Sequence, residues 1–141
     1  MIGIVITGHG SFPKGILESL HLIAGDVENL VMVPFEDDPV ELETSLQQAI
    51  EQVDSDSGVV CFADLAGGTP FNVSSRIAAY KDDLRVIGGT NLPMILSCLF
   101  KRNQPLDDFV KTALNEGKEN IKAFEIKKSE RVDENLTMDG I

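Results

Sequence analysis

Short apolar runs alternate with amphipathic segments along most of this chain, and this alternation constrains its fold more than any other feature. The runs are rich in Val and Ile and too short for helices, which predicts strands buried on both faces. The segments between them carry apolar residues at helical spacing. This order predicts one α/β domain over residues 1–128, an open doubly wound sheet with helices on both faces. The predicted strands are Ile2–Thr7, Leu30–Pro34, Gly58–Ala63, Leu84–Gly88 and, as a less apolar edge strand, Ile121–Lys127.

Charge and hydropathy exclude several classes of function. A net charge of −11, from 23 acidic and 12 basic residues, argues against a nucleic-acid binder and against docking on anionic lipid. No apolar stretch approaches the roughly 20 residues of a membrane span, and no basic segment precedes the first apolar run. Cys61 and Cys98 are isolated, as reduced thiols of a cytoplasmic protein are. Residues 129–141 are polar and mostly acidic, which predicts a flexible tail or the stub of a linker.

Helix boundaries are marked by residues with known terminal preferences. Asp38 is predicted to cap a helix that begins at Pro39, and Thr69 to cap one that begins at Pro70. Gly25 and Gly117 are expected just past the ends of two other helices, where glycine adopts a left-handed conformation without strain.

Polar features follow three of the predicted strands. His9 comes after strand one, Asp64 after strand three, and Gly89-Thr90-Asn91 after strand four. In a sheet of order 2-1-3-4, strands one and three are neighbours at the topological switch point, so His9 and Asp64 would face one crevice. A carboxylate that accepts one ring N–H fixes the imidazole tautomer and leaves the other nitrogen free as a nucleophile.

The loop Gly67-Gly68-Thr69 would wrap the same crevice. Its backbone N–H groups and the start of the next helix suit an anion such as a phosphoryl group, and the Thr69 hydroxyl adds a donor. With His9 as nucleophile, the combination predicts histidine phosphorylation. Because the chain has no Walker motif, another protein is the expected phosphoryl donor.

Each feature taken alone also has a simpler explanation. His9 can be a structural turn residue, Asp64 a cap or turn residue, and the glycine pair an ordinary turn. The acidic run 36–38 is better explained by a solvated helix start than by a metal site, so no metal and no cofactor are predicted. A flavodoxin-like module that binds flavin mononucleotide or another small anion is the alternative class. The loop after strand one is short and poor in Ser and Thr, which disfavours flavin.

Three ordered motifs resemble the EIIA domain of the mannose/fructose/sorbose class of bacterial phosphotransferase systems. They are IGIVITGHGS at 2–11, FADLAGGTPFN at 62–72 and VIGGTNLPM at 86–94, and the likeness runs over about residues 1–127. The resemblance implies four parallel strands and an antiparallel edge strand formed by the last predicted strand. It also implies a homodimer whose subunits exchange that strand.

The resemblance further implies a phosphoryl relay. The group passes from the phosphocarrier HPr to a histidine that matches His9, and then to EIIB, which serves the membrane subunits EIIC and EIID. Asp64 matches the orienting carboxylate, and Gly67, Gly68 and Thr69 match the phosphoryl cradle. The family often has a bulky aromatic where Ala66 stands, so the rim that meets EIIB is expected to differ. The chain resembles a stand-alone subunit, and a subunit that feeds a dihydroxyacetone kinase is the close alternative.

Overall fold

Residues 1–127, which a computed structural model of the chain describes, form a four-stranded sheet between two layers of helices. The strand order is β2-β1-β3-β4 and every neighbouring pair is parallel. The predicted α/β class and strand order are therefore confirmed. The strands are β1 Gly3–His9, β2 Leu30–Phe35, β3 Val59–Ala63 and β4 Leu84–Ile87. The helices are α1 Phe12–Ala24, α2 Pro39–Val53, α3 Thr69–Ala78, α4 Leu92–Cys98 and α5 Leu106–Glu119.

Two apolar cores lie on opposite faces of the sheet, because successive strand residues point to opposite sides. Ile4 and Phe62 pack into the core beneath α1, α4 and α5. Val5 and Cys61 pack into the core beneath α2 and α3. Burial on both faces explains why these strands read as continuous apolar runs. Cys61 and Cys98 are both buried and free, as the sequence predicts.

Two of the predicted helix boundaries are confirmed. The Asp38 carboxylate accepts hydrogen bonds from the N–H groups of Val40 (2.9 Å) and Glu41 (3.4 Å), so it caps α2. Gly25 follows α1 with a φ of 75° and donates its N–H to the His21 carbonyl.

Two other boundary predictions are wrong. Gly68, not Thr69, is the cap of α3, so Thr69 is its first helical residue. Gly117 lies inside α5, which continues to Glu119. A Cβ atom on Gly117 would lie 2.5 Å from Cε of Met94. Gly117 therefore packs against the Met94 side chain of α4 within a continuing helix, and a larger residue would have to displace that side chain.

The predicted antiparallel edge strand at 121–127 is also wrong for the single chain, because these residues adopt no strand. Their large apolar side chains are exposed: Ile121 by 75%, Phe124 by 84% and Ile126 by 66%. A strand needs a neighbouring backbone and a covered face, and this segment has neither within residues 1–127. The tail predicted at 129–141 lies outside the described residues.

None of the helices within residues 1–127 is long and apolar enough to cross a membrane.

A buried arginine joins the amino ends of the first two strands. Arg102 is 5% exposed. Its guanidinium donates to the carbonyls of Ile2 (2.9 Å), Glu28 (2.6 Å) and Asn29 (2.7 Å). The rigid fork of donors suits three carbonyls that converge from two directions. Arg102 therefore holds the end of the sheet that lies opposite His9.

We expect Arg102→Met to lower the free energy of unfolding by about 2–4 kcal/mol, because it removes the charged donors of three carbonyls, of which that of Ile2 is buried. Urea denaturation followed by circular dichroism measures this change. The matched control is Arg76→Met, since Arg76 is exposed and surface substitutions usually change stability by less than about 0.5 kcal/mol. Equal stability of the two variants would contradict the role given to Arg102.

Candidate active site at the carboxyl end of the sheet

His9 and Asp64 are joined by two hydrogen bonds, although 55 positions separate them in sequence. Thr7 of β1 pairs with Ala63 of β3, so the residues that follow lie side by side at the carboxyl ends of two neighbouring strands. His9 Nδ1 lies 2.9 Å from Asp64 Oδ2, and the His9 backbone N–H donates to the same oxygen at 2.9 Å. The structure therefore brings together the two residues that strand order alone places at one crevice.

The bond to Asp64 determines which nitrogen of His9 is available for chemistry. An ionised carboxylate can only accept hydrogen bonds, so Nδ1 must carry the proton of the neutral ring and Nε2 the lone pair. Among residues 1–127, Nε2 has no hydrogen-bond partner, and the His9 side chain is 48% exposed. The ring is therefore held at Nδ1 and accessible to solvent at Nε2.

The hydrogen bonds also keep Asp64 ionised. Burial of the carboxyl group by itself raises the pKa of Asp64. The hydrogen bonds from the backbone and ring of His9, the positive charge of that ring in its protonated form and the backbone N–H of Leu65 together outweigh burial, so the pKa of Asp64 lies below its usual value. A carboxylate stabilised in this way remains an acceptor across the physiological pH range.

Gly8 allows Asp64 to lie against the end of β1. A Cβ atom at Gly8 would stand 2.9 Å from Cγ of Asp64 and 2.8 Å from Cδ1 of Phe12. Real Cβ atoms do not approach other atoms so closely, so a side chain here would displace the carboxylate or the first residue of α1.

The glycine loop after β3 borders the ring of His9. Gly67 has a φ of 81°, a left-handed conformation that glycine adopts without strain. A Cβ on Gly68 would lie 3.1 Å from Cε1 of His9. The Asn72 side chain donates to the Gly67 carbonyl at 3.0 Å and holds the turn. Thr69 begins α3 directly after these glycines, so the N-terminus of this helix starts beside the imidazole.

The loop after β4 lies behind the same site. Thr90 donates its backbone N–H to the Ala63 carbonyl at 3.2 Å. Asn91 caps α4 by accepting the N–H of Met94 (3.0 Å) and donates its side-chain amide to the Gly117 carbonyl (3.0 Å). The third polar feature of the sequence thus supports the strand end and does not touch the imidazole.

Three residues contribute to the site although the sequence analysis gave them no role in it. The ring of Phe35 meets His9 edge-on, with centroids 5.6 Å apart and planes at 81°; Gly8 and Asn72 are the other two. Phe35 could have been found, because the 2-1 strand order places the end of β2 beside His9. The close approach at Gly8 and the bond from Asn72 depend on loop geometry that no local pattern encodes.

The acidic run 36–38 is exposed, and Asp38 serves as the cap of α2. No group of three or more metal-ligating side chains occurs within residues 1–127.

Substitution by alanine should have different effects at the neighbouring glycines 67 and 68. A Cβ atom at Gly67 would have no neighbour within 4 Å, but alanine would have to adopt the positive φ of this position. Gly67→Ala should therefore lower the free energy of unfolding by about 1 kcal/mol and leave the reactivity of His9 unchanged. Gly68→Ala has an ordinary φ of −75° but crowds the imidazole, so it should preserve stability and slow carbethoxylation of His9 several-fold.

Chemical denaturation and peptide mass spectrometry after diethyl pyrocarbonate treatment measure the two effects, with His21 as the internal reference. Equal His9 reactivity in the wild type and Gly68→Ala would contradict the contact between Gly68 and the ring.

Comparison with known proteins identifies the family of the chain. Residues 3–114 match the family described as the PTS system fructose IIA component. The chain is 33% identical over 135 residues to the mannose-specific EIIAB component of Escherichia coli K12, covering 92% of this chain and 42% of that protein. It thus spans about two fifths of the EIIAB relatives. It is 34% identical over 104 residues to the fructose-specific EIIA component of Bacillus subtilis, covering 72% of this chain and 71% of that protein.

Solved structures show the same fold. The EIIA component from Streptococcus agalactiae has a TM-score of 0.80 at 35% identity, covering 87% of this chain and 97% of that one. The mannose/sorbose specific IIA subunit from Enterococcus faecalis has a TM-score of 0.81 at 20% identity, covering 89% and 96%, which shows likeness of fold alone. This chain therefore belongs to the EIIA family of the mannose/fructose/sorbose class of sugar phosphotransferase systems.

Proposed function

We propose that this protein is a phosphoryl-relay subunit that accepts a phosphoryl group from phospho-HPr on His9 and passes it to a histidine of EIIB. One observation carries the proposal: an imidazole that is 48% exposed and bonded through Nδ1 to a carboxylate. Phosphoryl transfer needs a positioned nucleophile with a free lone pair, and Nε2 of His9 meets this requirement.

In the first transfer, Nε2 of His9 attacks phosphorus in line with the leaving nitrogen of the donor. A new P–N bond forms at Nε2, the P–N bond of phospho-HPr breaks, and its electron pair returns to the donor ring. The His9 ring gains positive charge as Nε2 bonds phosphorus, and the Asp64 carboxylate beside Nδ1 stabilises that charge. Transfer to EIIB repeats these bond changes with His9 as the leaving group.

The start of α3 supports the phosphoryl group itself. Negative charge in this reaction lies on the three non-bridging oxygens. Helix N-termini present unpaired N–H groups and a partial positive charge, and α3 begins beside the His9 ring. We assign the backbone of Gly67 and Gly68 and the hydroxyl of Thr69 to this cradle.

The proposal includes the acceptor and the location, both of which are supported by membership of the family. An EIIB partner places the protein in the bacterial cytoplasm, associated through EIIB with a membrane transporter that contains EIIC and EIID. The relatives are named for mannose, fructose and sorbose, so the relay domain does not itself specify the sugar. A dihydroxyacetone kinase is the alternative acceptor. Incubating the phosphorylated protein with EIIB or with the kinase, and measuring which of them removes the phosphoryl group, distinguishes the two.

We expect His9→Ala to abolish phosphoryl acceptance without unfolding the protein, because His9 ends a strand at the solvent-exposed edge. Mass spectrometry after incubation with phosphoenolpyruvate, enzyme I and HPr should show one acid-labile phosphoryl group on the wild type and none on this variant. His21→Ala is the matched control and should be labelled fully. Labelling of His9→Ala equal to that of the wild type would exclude His9 as the acceptor.

Replacement of the orienting carboxylate should slow the relay without stopping it. We expect Asp64→Ala to lower the acceptance rate by on the order of 100-fold, because the ring loses its fixed tautomer but keeps Nε2. Rapid-quench labelling from phospho-HPr measures the rate. A wild-type rate in Asp64→Ala would remove Asp64 from the mechanism.

We further propose that the protein is a homodimer in which residues 121–127 of each subunit pair with the sheet of the other. The segment exposes Ile121, Phe124 and Ile126 to solvent. Among residues 1–127, β2 and β4 are the two sheet edges. β2 contains Pro34, which cannot donate a hydrogen bond and blunts that edge. The edge of β4 is therefore the better acceptor of an added strand.

Replacing one residue of the segment 121–127, which we call the arm, should dissociate such a dimer. We expect Phe124→Asp to shift the protein from twice the chain mass to the monomer mass of 15.3 kDa, because a buried unpaired charge opposes strand docking. Light scattering after gel filtration, across a dilution series, measures the mass. Leu22→Asp alters an equally exposed apolar residue outside the arm (89%) and should remain dimeric. A monomeric wild type would contradict the proposal.

A further inference from the structure

The two oxygens of the Asp64 carboxylate have unequal surroundings. Oδ2 accepts both hydrogen bonds from His9. Oδ1 is buried and, within residues 1–127, accepts no hydrogen bond of good geometry; the N–H of Leu65 lies near the carboxylate without being aligned on this oxygen. Burying a charged oxygen that accepts no well-aligned hydrogen bond costs free energy, so we expect a donor near Oδ1.

Thr90 has a polar atom in the same condition. The residue is 7% exposed, and its hydroxyl is buried without a partner in the described part of the chain. Its backbone N–H donates to the carbonyl of Ala63, the residue directly before Asp64, at 3.2 Å. Thr90 is therefore fixed beside the end of β3.

The Asp64 carboxyl group and the helix that follows Thr90 lie on the same face of the sheet. The Asp64 carboxyl group lies over Gly8, which Phe12 at the start of α1 also approaches. α4 begins two residues after Thr90, and α1 and α4 cover one core together. Ser74 has the other buried hydroxyl that lacks a hydrogen-bond partner of good geometry among residues 1–127. It lies in α3 on the opposite face, beside Cys61.

We propose that Thr90 is a positioning residue for the relay: its hydroxyl donates to one internal water molecule, which in turn donates to Asp64 Oδ1. No direct hydrogen bond joins the two side chains, and a water molecule that bridges buried polar atoms is a common way to complete them. The bridge holds the carboxylate from behind, so that Oδ2 stays directed at Nδ1 of His9. This inference rests on the role proposed for Asp64.

The test compares Thr90→Val, which keeps the shape and removes the hydroxyl, with Thr90→Ser, which keeps the hydroxyl. The readout is the pH titration of the Asp64 carboxyl carbon by ¹³C NMR, assigned with Asp64→Asn. We expect Thr90→Val to raise the midpoint by about half a pH unit or more, because the ionised form loses a donor. Thr90→Ser should titrate as the wild type does. Ser74→Ala, which removes the hydroxyl on the other face, should leave the midpoint unchanged.

Phosphoryl acceptance supplies a second readout. We expect Thr90→Val to be slowed severalfold and Thr90→Ser to recover the wild-type rate. An unchanged Asp64 midpoint in a folded Thr90→Val protein would overturn the inference. If Thr90→Val does not fold, a high-resolution crystal structure of the wild type decides: electron density for a water within hydrogen-bond distance of both atoms is expected, and its absence is the contrary result. Failure of the wild type to label at His9 would instead contradict the proposed function and leave the titration unaffected.

Discussion

The site depends on a single carboxylate oxygen, Oδ2 of Asp64, which accepts hydrogen bonds from both the backbone and the ring of His9. The bond from the backbone N–H holds the carboxylate against the end of β1, and the bond at Nδ1 holds the ring against the carboxylate, so the imidazole keeps one orientation while both bonds persist. The carboxylate side chain is only 14% exposed, where bonds to an ionised acceptor are stronger than in open water. The free nitrogen, Nε2, is consequently presented in one direction.

The rest of the fold maintains this contact. The parallel pairing of β1 with β3 brings the two strand ends together, and the missing side chain at Gly8 lets the carboxylate lie over the first strand. At the opposite end of the sheet, Arg102 ties β1 to the turn before β2 through three carbonyls. Rigid elements are better suited than free loops to hold a nucleophile within the small tolerance that catalysis requires.

The surface of the single chain suits a protein that works through partners. The His9 ring is half exposed, and the segment 121–127 leaves three large apolar side chains uncovered. The segment begins near the end of the sheet that carries His9, because Asn91 ties the last turns of α5 to the start of α4. A net charge of −11 favours rapid association with basic proteins. The proposed exchange of phosphoryl groups between proteins would use both the exposed imidazole and the steering by charge.

The sequence by itself determined the strand pattern, the cap at Asp38 and the meeting of His9 with Asp64. Burial and helical spacing impose these features locally, and the rules of parallel sheets then leave few strand orders to choose from. Tertiary structure alone decided that Gly117 lies within α5, that Gly68 and not Thr69 caps α3, and that 121–127 forms no strand in one chain. Tertiary neighbours accompany each of these: Met94 packs against Gly117, the His9 ring borders Gly68, and a strand at 121–127 needs a pairing backbone that it does not have within residues 1–127. The local sequence pattern indicates which structure a segment prefers, whereas side-chain contacts and strand pairing between distant segments are determined only by the folded structure.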